Sequence, residues 1–505
     1  MAAVELPATV TDVLLRNAST RGAEPWLIDE TTGLVVSHQD TAARVAAVAS
    51  HLAARGVEPG SIVAVSLRNR PEFYWAWFGA NWLGAAIVPM NTALTAREAR
   101  FIAEHSGATA WIVDDDAQIG TVVAEAAAGL VESIIDVESI TTWADASEQI
   151  EPFAAKSDTL ASIIYTSGTT GDPKGCRCPH SYYIATGARF GDQIAATTEE
   201  RFSTCLPLFH MNAQTMATAG SLVAGASLYL QERFHANGYW ERLRSAGATT
   251  FNYIGAMPAI LMKMDPGAAD RDHGVRVAFG GGIPPTIYAA FEERFGLPVL
   301  EGYGLTETGL CVATPVHGDR KVGTGSCGIA MPGVRTRFID DEGDEVQGAG
   351  PGELLIAGDG IFSGYHRLPR EAAFDADGWF ATGDILSRDA DGYFYFIDRK
   401  KEIIRRAGEN ISPREVESVL TKHPAVAEVA VIGVTDEIRG QEVAAIIVLA
   451  LTVDDSPETR ESILDHARAD LAYFKVPTRI EVRDSLPRTA TQRVRKHLIR
   501  EAPNA

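Results

Sequence analysis

Apolar positions along the first half of the chain follow two alternating patterns, one typical of helices and one typical of buried strands. The stretch DTAARVAAVASHLAARG spaces Ala, Val and Leu as on one face of a helix and ends at Gly56, a common helix C-terminus. The stretch EFYWAWFGANWLGA indicates a second, aromatic helix. Short apolar runs interpreted as strands are SIVAVSL, AIVPM, TAWIVDD, ASIIYTS, GASLYLQ and VRVAFGG. This alternation predicts parallel sheets with helices on both faces, which is the α/β class.

After about Gly350 the pattern changes to short strands separated by glycine-rich turns. The runs PGELLIAG, GWFATGD and DGYFYFID indicate a β-rich subdomain. Further on, Ser412, Pro413 and Glu415 supply a cap, a first-turn proline and a capping-box acid, so a helix is expected to run to about Lys422. Two strands, VAEVAVIGV and EVAAIIVLA, and a helix, SPETRESILDHARADL, complete an α+β tail.

The length of 505 residues is too great for one hydrophobic core. The predicted organisation is a large N-terminal domain of doubly wound sheets, residues 1–398, which includes the β-rich subdomain at about 320–398. A hinge is expected in the basic run at 399–401. A small α+β C-terminal domain is expected at 402–505.

Composition and charge exclude several classes of function. The formal net charge of -21 argues against nucleic-acid binding, so any anionic ligand must meet local positive charge. The N-terminal stretch MAAVELPATVTDVLLRN shows no secretory signal, and the most apolar helical segment, 73–87, is too short to span a bilayer, so a cytoplasmic protein without a membrane partner is expected. Cys176 and Cys178, beside His180, lack a second ligand pair and are interpreted as buried thiols.

The stretch YTSGTTGDPKG resembles a phosphate-binding loop but departs from the Walker pattern, because Asp172 and Pro173 separate Gly171 from Lys174. Glycines let backbone N–H groups turn towards an anion, hydroxyls add donors, and Lys174 supplies a positive charge. The other interpretation is an exposed linker, which the preceding apolar strand disfavours. The predicted phosphate-binding residues are Thr166, Ser167, Gly168, Thr169, Thr170, Gly171 and Lys174.

Two further stretches make this prediction more specific. EGYGLTETG places an aromatic ring, a threonine and a carboxylate in one glycine-punctuated turn, and GWFATGD places Asp384 where its carboxylate can take two ribose hydroxyls. In this order the three stretches resemble the adenylate-forming superfamily of acyl- and aryl-CoA synthetases, luciferases and adenylation domains. The resemblance covers nearly the whole chain. The stretches LPLFHMNAQ, FNYIGAMPAILMK and RRAGENISPREVE are most similar to the crotonobetaine/carnitine-CoA ligase-like branch.

The resemblance implies a role for each matching residue. The glycine loop with Lys174 would embrace the β- and γ-phosphates of ATP. Tyr303 would stack on adenine, Thr306 would touch phosphate, and Glu307 would bind Mg²⁺. His210 would gate the acid site. The other nucleotide-binding residues implied are Gly280, Gly281, Gly282, Glu301, Gly302, Gly304, Asp384 and Arg399, with Lys401 as the hinge about which a mobile C-terminal domain turns.

The implied chemistry has two steps. The oxygen of an acid attacks the α-phosphorus of ATP and pyrophosphate leaves; Mg²⁺, Lys174 and backbone donors neutralise the charge that builds up. A thiol then displaces AMP, and rotation of the small domain lets one site serve both steps. The thiol belongs to CoA or to a carrier protein, although some relatives stop at the adenylate.

The chain departs from the family near its C-terminus. In LPRTATQRVRKHLIR, Arg493 stands where the family has an essential lysine, and this exchange alters size and hydrogen-bond geometry. Three explanations stay open: Arg493 does the same work, Lys496 replaces the lysine, or the activated acid is small and inorganic. The last describes an ATP-dependent diazotase that adenylates nitrite and diazotises an aminoaryl acid. A nucleotide-binding homologue without turnover is the remaining alternative to an acid–thiol ligase.

Overall fold

The protein is described by a computed structural model that covers residues 6–131, 133–166, 173–340, 342–400, 402–406, 409–436, 440–471, 473–488 and 494–501. The chain divides into two compact units. The first consists of Met1–Thr336 and Ile356–Phe380, and the second consists of Arg337–Leu355 and Ala381–Ala505. The predicted loop residues 167–171, the hinge residue Lys401 and Arg493 lie outside the described residues.

The first unit contains eleven α-helices among its described residues. They are α1 (Val10–Arg21), α2 (His38–Ala53), α3 (Pro71–Trp82), α4 (Ala96–Ser106), α5 (Ala117–Ala127), α6 (Val137–Ala144), α7 (His180–Gln193), α8 (Ala219–Ala224), α9 (Tyr239–Ala246), α10 (Ala256–Lys263) and α11 (Pro285–Phe295). A π-helical turn, Ala213–Thr218, precedes α8, and 3₁₀ turns lie at Ala268–Asp270 and Arg370–Ala372.

Its strands are β1 (Pro25–Asp29), β2 (Val35–Ser37), β3 (Ile62–Ser66), β4 (Ala86–Pro89), β5 (Ala110–Val113), β6 (Ser133–Asp136), β7 (Leu160–Thr166), β8 (Lys174–Pro179), β9 (Arg201–Thr204), β10 (Ser227–Leu230), β11 (Thr250–Ile254), β12 (Val277–Gly281), β13 (Val299–Leu305), β14 (Gly309–Ala313) and β15 (Ser326–Ala330). All six strands predicted in this part of the chain form, as β3, β4, β5, β7, β10 and β12. Short apolar runs between helices were therefore a sufficient signal for buried strands.

The β7–β8 hairpin lies at the edge of its sheet, whereas β13 and β14 have further strands on both sides. One sheet has the order β6-β5-β3-β4-β7-β8 and is parallel except for the antiparallel pair β7–β8. A second has the order β2-β1-β10-β9. In the run β11-β12-β13-β14-β15, strands are parallel up to β13 and antiparallel afterwards.

The aromatic helix α3 is buried in the core of the first unit. Its residues Phe73, Tyr74 and Trp75 are 2% exposed or less, because a helix that is apolar all round must be covered on every side. The helix α2 ends at Ala53, three residues before the predicted end, and Gly56 instead has a positive φ of 84° in the following turn. The glycine thus marks the turn and not the last helical residue.

The remaining elements are β16 (Val334–Ile339), β17 (Gly350–Gly358), β18 (Phe380–Arg388), β19 (Phe394–Arg399), β20 (Ile404–Arg406), β21 (Glu409–Ile411), α12 (Pro413–Leu420), β22 (Val426–Asp436), β23 (Gly440–Leu449), α13 (Pro457–Asp470), β24 (Arg479–Val482) and α14 (Lys496–Glu501). In the second unit β18 and β19 pair antiparallel. A separate sheet has the order β21-β20-β23-β22, with β24 parallel to β23.

The N-terminus of α12 confirms half of the predicted capping box. The hydroxyl of Ser412 accepts a hydrogen bond from the backbone N–H of Glu415 at 3.3 Å, and Pro413 is the first helical residue. The carboxylate of Glu415 instead binds Lys475 Nζ at 2.6 Å, so the predicted reciprocal bond is replaced by an ion pair. The helix ends at Leu420, two residues before the predicted Lys422. No helix in the described part of the chain is both long and apolar enough to cross a bilayer.

Candidate active site

The stem of the predicted phosphate loop is an antiparallel hairpin. β7 ends at Thr166, β8 begins at Lys174, and these two residues pair directly across the hairpin. The hydroxyl of Thr166 donates to the backbone oxygen of Lys174 at 3.5 Å. The exposed Lys174 therefore lies at the base of the loop, on the strand that leaves it.

Glu307 lies at the tip of a second hairpin, formed by β13 and β14. Leu305 pairs with Gly309 at the end of this hairpin, and the hydroxyl of Thr308 accepts the backbone N–H of Leu305 at 2.9 Å. Thr306 and Glu307 are half-buried in the turn between them. The turn thus presents a threonine and a carboxylate in succession.

Tyr365 brings the two hairpins together, and the sequence analysis did not identify it. Its hydroxyl donates to Glu307 Oε1 at 3.0 Å. The ammonium of Lys174 lies over the face of its ring, 4.9 Å from the ring centroid. A cation and a carboxylate that the sequence places far apart therefore share one aromatic side chain.

Glu301 connects β13 to the end of β12. Its Oε1 accepts the backbone N–H of Ile283 at 2.9 Å and the hydroxyl of Tyr253 at 3.0 Å. Burial raises the pKa of Glu301 to about 6, because desolvation outweighs these hydrogen bonds. The carboxylate predicted to bind nucleotide is thus occupied within the protein, where it fixes the turn after β12.

The raised pKa of Glu301 predicts a pH-dependent stability. A carboxyl whose folded-state pKa lies above its ordinary 4.5 is protonated more readily in the folded state, so stability falls as pH rises from 4.5 through about 6. Over this window we expect the free energy of unfolding of the wild type to fall by about 2 kcal/mol relative to that of Glu301→Gln, since one pKa unit is about 1.4 kcal/mol. Unfolding midpoints of both proteins across that window measure the difference. A gap between them that does not change with pH would contradict the prediction.

Three of the predicted nucleotide-binding glycines are required by packing within the protein. A Cβ at Gly280 would lie 2.2 Å from the backbone oxygen of Tyr253, and one at Gly304 would lie 2.1 Å from that of Gly309. At Gly302 it would lie 2.7 Å from the ring of Phe279. At Gly281 a Cβ would lie 3.0 Å from the backbone oxygen of Gly302. At Gly282 the atom nearest to a Cβ would be 3.5 Å away, and there the φ of +87° favours glycine.

Tyr303 and His210 lie on different elements of the first unit. Tyr303 is on β13, with 8% of its surface exposed. His210 is half-buried in the turn before the π-helical turn Ala213–Thr218, with its ring 4.6 Å from that of Phe209. π-Helical turns occur often at functional sites, and the pocket role of His210 stays a prediction.

Within the second unit, Asp384 and Arg399 form an ion pair. The two residues lie opposite each other on β18 and β19, and Arg399 Nε is 2.7 Å from Asp384 Oδ1. The side chain of Asp384 is only 1% exposed, and its backbone N–H donates to the hydroxyl of Thr382 at 3.1 Å. Asp384 and Arg399, both predicted to bind the nucleotide, are therefore bound to each other as a buried carboxylate held by a guanidinium.

Lys496, one of the two candidates for the missing lysine, is held by two carboxylates of the second unit. Its ammonium lies 2.8 Å from Glu417 and 3.6 Å from Glu402, and its side chain is 12% exposed. Burial raises the pKa of Glu417, and the charge of Lys496 opposes that shift. These contacts give Lys496 a structural partner within its own unit.

Removing Lys496 is expected to destabilise the second unit. Lys496→Ala leaves the carboxylate of Glu417 partly buried without its cation, which costs about 2 kcal/mol after allowance for partial exposure. Thermal unfolding measures the loss. Arg468→Ala, which removes an exposed ion pair with Glu461, is the matched control and should change the midpoint little. Equal midpoints for the two variants would contradict the structural role.

Comparison with known proteins identifies the class. The AMP-binding enzyme family matches residues 14–366, and the AMP-binding enzyme C-terminal domain matches residues 415–493. The sulfoacetate–CoA ligase of Cupriavidus necator is 30% identical over 96% of this chain and 97% of its own length. A crotonobetaine/carnitine–CoA ligase of Escherichia coli O157:H7 is 31% identical over 95% of this chain and 97% of its own.

Solved structures agree with this assignment. The o-succinylbenzoate CoA synthetase of Bacillus subtilis, in complex with its acyl-adenylate intermediate, has a TM-score of 0.88 at 28% identity and covers 99% of both chains. ATP-bound MatB from Rhodopseudomonas palustris has a TM-score of 0.87 at 27% identity, over 97% of this chain and 98% of its own. The chain belongs to the AMP-binding enzyme family and is an AMP-forming ligase. The predicted resemblance and the predicted fold class, with a large N-terminal and a small C-terminal domain, are confirmed.

Proposed function

We propose that this protein activates a carboxylic acid with ATP, forms an acyl-adenylate, and transfers the acyl group to CoA. The observation that carries the site assignment is the arrangement of Lys174, Tyr365 and Glu307 at the stem of the phosphate loop. Support for CoA as the acceptor comes from the relatives, which are CoA ligases. These relatives give no support to nitrite as the acid.

The residues of this site fit a magnesium ion. Mg²⁺ prefers one or two carboxylates together with substrate phosphates. Glu307 is a half-buried carboxylate oriented by the Tyr365 hydroxyl, close to a lysine suited to phosphate. When bound, the ion would neutralise charge on the triphosphate. We assign Glu307 as its ligand, and Lys174 with the glycine loop as the β- and γ-phosphate contacts.

The remaining roles are assigned from the same residues. Tyr303 would pack against adenine, Thr306 would donate to phosphate, and Asp384, aligned by Arg399, would bind the ribose. His210 would line the acid pocket. In the first step a carboxylate oxygen attacks the α-phosphorus and pyrophosphate departs. In the second step the sulfur of CoA attacks the carbonyl carbon, and AMP departs with the bridging oxygen.

Arg493 is proposed to supply the cation that the family takes from a lysine. Lys496 already binds Glu417 within the second unit, which makes it the weaker candidate. The guanidinium can contact the acid oxygen and the α-phosphate together, since it offers several donors in one plane. The C-terminal domain, residues 402–505, is proposed to rotate about Lys401 between the two steps.

The cytoplasm is the proposed location, because ATP and CoA are available there and a reducing compartment suits the cysteines. All five are free thiols, and four of them are buried. Burial raises the pKa of Cys176 and of Cys178, so neither thiol is a ready nucleophile.

A screen of acids tests the proposed function. Purified protein is incubated with Mg·ATP and single carboxylic acids, with and without CoA, and AMP, pyrophosphate and thioester are measured. AMP release that depends on one acid, with thioester formed only when CoA is added, is the expected result. ATP binding without AMP release for any acid would indicate a homologue that has lost turnover. AMP release that requires nitrite and an aminoaryl acid would indicate the diazotase.

A further inference from the structure

One short segment is attached to both hairpins of the site. We call residues 362–366 the bridging segment. The backbone N–H of His366 donates to the oxygen of Gly175 on β8 at 2.8 Å, and that of Phe362 donates to the oxygen of Glu307 at 2.9 Å. The segment therefore fixes the stem of the phosphate loop relative to the turn that carries Glu307.

The side chain of Tyr365 also connects the two hairpins, because it contacts both Glu307 and Lys174. The residue is 9% exposed, and its ring packs against that of Phe362 with centroids 5.0 Å apart. From this fixed position the hydroxyl reaches Glu307, and the ring face lies beneath the ammonium of Lys174. A buried ring has few rotamers available, so it can hold both groups in place.

We propose that Tyr365 is a positioning residue that orients Glu307 for the metal and holds Lys174 ready for phosphate, an inference that rests on the proposed roles of those two residues. A hydrogen bond to a charged acceptor is strong enough to fix the carboxylate. The cation–π contact is weak, so bound phosphate can take over the ammonium. Lys174 makes no ion pair with any residue that the structure describes, and its charge stays available for the ligand.

The segment has support that does not depend on the phenol hydroxyl. Its backbone bonds to β8 and to Glu307 involve main-chain atoms only. The ring of Phe362 also contacts those of Phe374 and Phe380, with centroids 5.3 and 5.1 Å away. Tyr365→Phe therefore removes the bond to Glu307 while leaving the fold and the ring face in place.

Metal affinity tests whether Tyr365 orients Glu307, and its measurement does not require turnover. Mn²⁺ serves as a paramagnetic probe, titrated by electron paramagnetic resonance into protein saturated with a non-hydrolysable ATP analogue. Removing a group that orients a metal ligand lowers metal affinity about 10- to 100-fold, so Tyr365→Phe is expected to raise the Mn²⁺ Kd about tenfold. Its affinity for the ATP analogue at saturating metal should stay within about twofold, because the ring still holds Lys174.

Tyr365→Leu tests whether the ring holds Lys174 ready for phosphate. This substitution removes the ring as well as the hydroxyl. It is therefore expected to lower the affinity for the ATP analogue about two- to fivefold beyond the effect of Tyr365→Phe. Tyr229→Phe is the matched control, since Tyr229 on β10 donates to Glu30 at 3.2 Å in another part of the first unit. The control should leave the Mn²⁺ Kd unchanged.

The outcomes separate this inference from the proposed function. An unchanged Mn²⁺ Kd in both Tyr365→Phe and Glu307→Gln would overturn the metal role of Glu307 and this inference with it. A raised Kd in Glu307→Gln but not in Tyr365→Phe would overturn the positioning role alone. A lower fraction of folded protein with unchanged metal and nucleotide affinities would show that Tyr365 supports only the fold, which also overturns the proposal.

Discussion

Glu307→Gln is expected to lower acid-dependent AMP formation at least about 100-fold, because loss of a group that stabilises transition-state charge typically costs about 10²–10³ in rate. Glutamine keeps the shape of the side chain and can still accept the Tyr365 hydroxyl, which in the wild type donates to Glu307 Oε1 at 3.0 Å. The variant thus removes the negative charge and little else. Initial rates of pyrophosphate release at saturating ATP and acid measure the effect.

A control for this variant exists in the same unit. Glu30 also accepts a tyrosine hydroxyl, that of Tyr229, and it pairs with Arg242 at 3.0 Å. Glu30→Gln repeats the chemical change away from the candidate site, and AMP formation should be unaffected. Equal rates for Glu307→Gln and Glu30→Gln would remove Glu307 from the reaction and leave the magnesium assignment without a ligand.

Gly304→Ala is expected to destabilise the protein and to reduce activity together. The new methyl carbon would lie 2.1 Å from the backbone oxygen of Gly309 and 3.2 Å from the Cα of Leu310. Neither atom can move as a side chain does, so the β13–β14 hairpin must open. Overpacking of this kind costs about 1–3 kcal/mol. Because Glu307 lies in that hairpin turn, a shift of about 1 Å is expected to cost about 10²-fold in rate.

Thermal unfolding and AMP formation test this variant side by side. Gly120→Ala is the comparison, since Gly120 lies in α5 and a Cβ there meets nothing within 4 Å. Replacing glycine by alanine at an open helical position raises the free energy of unfolding by about 0.5–1 kcal/mol. Full activity and an unchanged midpoint in Gly304→Ala would show that the hairpin tolerates a side chain, contrary to its backbone contacts.

The sequence determined the strands and the order of functional stretches, but not the contacts between them. Apolar runs of four to seven residues identified β3, β4, β5 and β7, because a buried strand needs apolar side chains on both faces. Helix ends were less predictable: Gly56 and Lys422 both fall beyond the observed last turns. Termini depend on which turn the following chain requires, and local sequence does not specify this.

Tyr365 shows why site residues escape analysis of a single sequence. Its role arises from two contacts with residues 58 and 191 positions away, and the stretch around it has no pattern tied to a ligand. Glu301 shows the converse, since its carboxylate lies within a functional stretch yet binds Ile283 and Tyr253. Sequence patterns locate a site, whereas the partner of each side chain is set by tertiary packing.

Oxygen transfer tests the central claim most directly, namely that an acid oxygen displaces pyrophosphate at the α-phosphorus. An acid that supports turnover is labelled with ¹⁸O in its carboxyl group and incubated with the protein, Mg·ATP and CoA, and the nucleotide is analysed by mass spectrometry. The account predicts AMP that carries one labelled oxygen, formed together with pyrophosphate and thioester. Unlabelled AMP, or ADP as the nucleotide product, would contradict it.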